Sequence, residues 1–132
     1  LEPTQPGYFW YGIHAVEMLV ATLGPAIRGV RVTSNDEHDL IVAEWEDGRI
    51  GTVRGNRCGN NNFGGLIHRE KGVDAIDVSS HPKPYYASLL EKIVGFVRHR
   101  RSPVPLEETL AVTGLLERAN ALREARSVTG SL

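Results

Sequence analysis

At Asp47-Gly48 the chain has to reverse. Leu40 to Trp45 is a nearly continuous apolar run suited to a central strand, and Ile50 to Arg54 resumes an alternating pattern. The four residues between them, Glu46-Asp47-Gly48-Arg49, are turn residues, and Asp-Gly tolerates the positive φ angles of a type I′ hairpin. Strand patterning extends on both sides. Val30 and Val32 alternate with Arg31 and Thr33. Beyond the Gly59-Asn60-Asn61-Asn62 turn cluster, Phe63 to Arg69 and Val73 to Val78 flank Lys71-Gly72. The stretch from Arg28 to Val78 is therefore expected to be a five-stranded antiparallel meander.

Helical periodicity brackets this block. Gly12 to Leu23 reads as a helix stopped by Gly24-Pro25, with His14, Glu17 and Ala21 sharing one narrow stripe. Tyr85 to His99 is amphipathic, with Tyr86, Leu89, Leu90, Ile93, Val94 and Val97 on one face and Arg98 to Arg100 where a helix dipole favours cations. After Pro103-Val104-Pro105, Leu106 to Arg126 forms the last helix, with a stripe of Val112, Leu115, Leu116, Ala119 and Leu122. The order helix, sheet, helix, helix predicts an α+β fold: a largely antiparallel open sheet with helices packed on one face. The other face is then solvated or covered by another subunit. A length of 132 residues suits one domain, 1–132.

Composition narrows the function classes. Fifteen basic and sixteen acidic side chains give a formal charge of -1, so no field steers the chain to nucleic acid or an anionic membrane. No apolar run is long enough to cross a bilayer. The single cysteine, Cys58, excludes an internal disulfide and any zinc site on two or more thiolates. The histidines (14, 38, 68, 81 and 99) include no i, i+4 pair, so no metal is expected. Asp36-Glu37-His38-Asp39 reads as a solvated loop, and Arg54, Arg57 and Asn60 to Asn62 as an ordinary polar turn.

One segment has chemistry to spare. Tyr8-Phe9-Trp10-Tyr11 places four aromatics side by side just before Gly12-Ile13-His14. Consecutive side chains cannot all point inward. Rings beside an imidazole suit a sugar-like ligand, with faces for stacking and polar atoms for direction. The alternative is a loop of rings wedged between sheet and helix.

Taken in order, these features resemble the C-terminal domain of the Gfo/Idh/MocA oxidoreductases, the glucose–fructose oxidoreductase and inositol dehydrogenase family. Gly12-Ile13-His14 is similar to that family's Gly-x-His element, and the strand pair around Trp45 to Thr52 to its hairpin. Tyr85-x-x-x-Leu89 through Phe96, Pro103-Val104 and Glu107 to Leu110 is similar to its terminal helix pair. The resemblance implies an N-terminal Rossmann domain, outside this chain, that binds NAD or NADP and supplies a lysine from a Glu-Lys-Pro motif. It also implies a sugar or polyol substrate, and a homo-oligomer built through the open sheet face. By the same resemblance His14 is catalytic, Glu17 orients or charge-balances it, and Tyr8, Phe9, Trp10 and Tyr11 contact substrate. Trp10 stands where the family often has aspartate, which suggests a branch that holds its substrate more by stacking, or one whose activity has drifted.

No Gly-x-Gly-x-x-Gly occurs, and neither Glu70-Lys71-Gly72 nor Glu91-Lys92-Ile93 supplies Glu-Lys-Pro. The chain alone is therefore expected to bind no cofactor and to be inactive, as a piece of a longer oxidoreductase. Two other readings remain open: a carbohydrate-binding module without chemistry, and a purely structural homo-oligomerisation module.

Overall fold

A computed structural model describes residues 7–57, 59 and 62–128. Its elements run α1 (Gly12–Leu23), β1 (Ile27–Ser34), β2 (His38–Trp45), β3 (Ile50–Asn56), β4 (Gly64–Arg69), β5 (Gly72–Asp77), α2 (Tyr85–His99) and α3 (Leu106–Val128). The class is α+β with open antiparallel sheets, as the alternation of patterns predicts. The chain divides into two compact units, one made of residues 1–60 with 106–132 and the other of residues 61–105.

The first unit is a three-stranded sheet, β1-β2-β3, with α1 and α3 against it. Register explains its core. Val32 pairs with Ile41 and Ile41 with Val53; Val30 pairs with Ala43 and Ala43 with Gly51. These positions share one face, and Val32, Ile41, Ala43, Trp45 and Val53 are buried there. Val16 and Val20 of α1 and Val112, Leu115, Leu116 and Ala119 of α3 complete the same cluster. Trp45 is fully buried, and its indole N–H donates to the Gly24 carbonyl at 2.8 Å, so the largest core ring also satisfies the end of α1. Gly51 makes room for this: a Cβ there would lie 2.6 Å from Leu19 Cδ1 and 3.1 Å from Trp45 Cζ3.

The hairpin turn differs from the type I′ expectation. Only Gly48 has positive φ, +87°. The Gly48 N–H donates to the Trp45 carbonyl at 3.0 Å and the Trp45 N–H to the Arg49 carbonyl at 2.9 Å, which is a three-residue loop with a bulge at the glycine. The Asp47 carboxylate accepts from the Arg49 N–H and Nε, which lowers its pKa below the ordinary carboxylate value. Arg49 also donates to the Leu23 carbonyl at 2.9 Å, clasping the turn to the C-terminus of α1.

The second unit holds the β4-β5 hairpin and α2. α2 starts after Pro84 and ends at Arg100, whose φ of +52° closes the last turn through its N–H to the Phe96 carbonyl, 2.7 Å. Its apolar face is as predicted from spacing, yet Tyr86, Leu89, Leu90, Ile93, Val94 and Val97 are all exposed.

Two expectations from the sequence differ from the structure. The five strands do not form one meander, because β1–β3 and β4–β5 are separate sheets. β4 opens on Gly64-Gly65, which offer no side chains to specify pairing. The homo-oligomer through one broad open sheet face falls with it, since that face is not built. The outward side of β1–β3 mixes Leu40, Val42 and Ile50 with Thr33, Thr52 and Arg54, and Arg28 and Arg31 both ion-pair with Glu44. Among the described residues no helix is long and apolar enough to cross a membrane.

Two glycines of the first unit should respond oppositely to alanine. Gly48→Ala forces a left-handed backbone on a residue with a Cβ and should cost about 1 kcal/mol. Gly114, exposed within α3 with open space around it, should gain about 0.8 kcal/mol as Gly114→Ala. Urea denaturation of both variants measures the difference.

Candidate functional site

The aromatic segment is split by burial. Tyr8 is 2% exposed, whereas Phe9, Trp10 and Tyr11 are 46%, 54% and 56% exposed. Tyr8 enters the core because several partners receive it. Its N–H donates to Asn120 Oδ1 on α3 at 2.9 Å, and its hydroxyl donates to Asp39 Oδ1 on β2 at 2.9 Å. The Arg123 guanidinium lies over its ring, 5.5 Å from the centroid. Gly7 precedes it at φ +73°, and a Cβ there would lie 2.6 Å from Asn120 Oδ1.

Asp39 is the centre of this arrangement. Besides Tyr8 it accepts from the Ser34 hydroxyl and from Arg57, and Arg123 Nε stands 3.7 Å from its Oδ1. Its side chain is 1% exposed. A buried carboxylate needs this density of donors, because each unsatisfied lone pair would carry a desolvation cost. Burial, reinforced by the hydrogen bond to Asp39, pushes the Tyr8 phenol well above its ordinary value of 10.0. Reading residues 36–39 as a solvated loop missed Asp39. The signal was the alternation Asp39, Ile41, Ala43, Trp45, which places all four on the inward face of β2. Arg57, read as part of a polar turn, is that carboxylate's cationic partner.

On the outside the remaining residues form a ridge across the start of α1. Trp10 and Tyr11 meet edge to face with centroids 6.1 Å apart, and Tyr11 meets the His14 ring in the same manner at 6.2 Å. His14 Nδ1 is 3.3 Å from Glu17 Oε2, one turn along the helix. Both side chains are more than half exposed, so solvent screens the pair. The structure thus brings Trp10, Tyr11, His14 and Glu17 together on the surface. Phe9 is half-exposed beside them, and Tyr8 belongs to the interior.

The ridge is an open platform. A groove of about 670 Å³ lies elsewhere, along α2 between Glu91, Phe96, His99 and Arg101, and a smaller one of about 170 Å³ lies at the end of the sheet by Ser34, His38 and Arg54. Neither includes residues 8–17. Among the described residues no group of three or more His, Cys, Asp or Glu is placed to hold a metal ion. Cys58, Asn60 and Asn61 lie outside the described residues. No family model, curated protein or solved structure matches this chain.

The hub sets two expectations. Asp39→Ala leaves Arg57 and Arg123 without their carboxylate and should cost about 3 kcal/mol in chemical denaturation. The raised Tyr8 phenol gives a sign for pH as well. The unfolded chain releases that proton first, so this contribution is complete below pH 10 and is lost as pH rises beyond it. Stability measured above pH 10 should fall less steeply in Tyr8→Phe than in the unaltered chain.

Proposed function

We propose that this chain is the substrate-binding domain of an NAD(P)-dependent oxidoreductase of the Gfo/Idh/MocA type, acting on a sugar, polyol or related carbohydrate. The observation that carries the reading is the surface ridge in which two exposed rings lead directly to an imidazole backed by a carboxylate. Ring faces of this kind stack on the C–H faces of a pyranose or cyclitol. With Nδ1 donating to the Glu17 carboxylate, the Nε2 lone pair is the one left to take the proton of a substrate hydroxyl. The order of motifs along the chain supports the same family.

The residues present do not fit a dinucleotide. α1 follows Tyr11, α2 follows Pro84 and α3 follows Pro105, and none of these approaches is the glycine-rich turn that cradles a pyrophosphate. The chain's own share is to seat the hydroxylated ligand and to exchange one proton at His14.

The test has two parts. Titrating the chain with hexoses and cyclitols should quench the exposed Trp10, and Trp10→Ala should remove that response while Trp45 fluorescence stays. In the holoenzyme containing this chain, His14→Asn should lower kcat by about 10²–10⁴-fold with a smaller change in KM. Absence of any sugar response would overturn the ligand class. Sugar binding with turnover unchanged by His14→Asn would make the chain a carbohydrate-binding module without chemistry at this site.

A further inference from the structure

Three residues, Phe9 to Tyr11, bridge a ring locked in the core and the first residue of a helix. At the near end Tyr8 is held through its N–H by Asn120, through its hydroxyl by Asp39 and over its ring by Arg123. At the far end α1 is anchored by Val16 and Val20, which are fully buried. The span is a turn, with Tyr11 in the αR region and its carbonyl accepting from the His14 N–H at 3.3 Å, so holding Tyr8 at one end and the first turn of α1 at the other restricts the residues between them. Asp39 is itself buried while the ridge lies on the surface, and Tyr8 is the link between them.

We infer that Asp39, together with Asn120 and Arg123, is a positioning residue: through Tyr8 it fixes the Trp10–Tyr11–His14 ridge in one geometry before any ligand arrives. The inference draws its functional meaning from the carbohydrate reading above. Ordering the ridge during folding removes that entropy cost from the binding step, which is how an exposed ridge retains useful affinity. The contacts that do so are 31 residues away in sequence on β2 and 112 residues away on α3.

The test uses NMR on the full chain without ligand. The unaltered protein should give a nuclear Overhauser contact between the Tyr11 ring and the His14 imidazole, and separate indole N–H signals for Trp10 and Trp45. Tyr8→Phe keeps the ring and removes only the hydroxyl. It should abolish the Tyr11–His14 contact and move the Trp10 indole toward its unfolded position, with the Trp45 indole unmoved. Val112→Ala, a core truncation elsewhere on α3, should lower stability and keep the contact. If Tyr8→Phe does not fold, Asn120→Ala removes the acceptor of the Tyr8 N–H and should change the same signals. An undiminished contact in the folded Tyr8 or Asn120 variant, an equal loss in Val112→Ala, or no contact in the unaltered chain would overturn the inference. Because the readout needs no sugar, it separates a failure of positioning from a failure of the carbohydrate reading.

Discussion

Asp39 is a carboxylate placed where water does not reach, and the first unit is organised around the need to satisfy it. Its partners come from four separate stretches of chain: Tyr8 before α1, Ser34 at the end of β1, Arg57 after β3 and Arg123 on α3. Apolar packing of Ile41, Trp45, Leu116 and their neighbours supplies most of the driving force for collapse. That packing is non-directional. The carboxylate adds direction, because its two oxygens accept from donors that these separate segments must bring to one point. The ridge on the surface is a by-product of the same requirement, since drawing Tyr8 inward leaves Phe9, Trp10 and Tyr11 outside.

Local elements were legible where one pattern dominates. α1 ends at Gly24-Pro25 and α2 spans Tyr85–His99 as spacing predicts, because periodicity and stop residues agree at both places. The β2-β3 reversal was legible too, although its turn is a bulged three-residue loop in place of type I′. Telling the two apart requires knowing that Asp47 keeps negative φ, which residue identity leaves open. Asp39 was hidden by company: flanked by Asp36, Glu37 and His38, it reads as one more solvated charge until the strand alternation is traced back through it.

Sheet assembly was the least legible level. Five strand-like segments in succession suggest one sheet, yet pairing between strands depends on partners far along the chain. Glycines at the head of β4 remove the side chains that would specify such pairing, and the strands divide three and two. Of the candidate site, the grouping of His14 with Glu17 followed from helical spacing alone. The separation of Tyr8 from its three aromatic neighbours did not, because it depends on Asn120 and Arg123 at the other end of the chain.

α1 is fastened at both ends to opposite ends of one strand. Before its first turn Tyr8 reaches Asp39 near the start of β2, and past its last turn Gly24 receives the indole of Trp45 at the end of β2. Twelve residues of helix measure about 18 Å, and the six steps from Asp39 to Trp45 measure about 20 Å. Helix and strand are thus matched in length, like two rails joined by a rung at each end. Adding or deleting a residue in either rail would move one rung out of reach of its partner. An insertion in a loop of this unit leaves both rungs in place, whereas one within a rail does not.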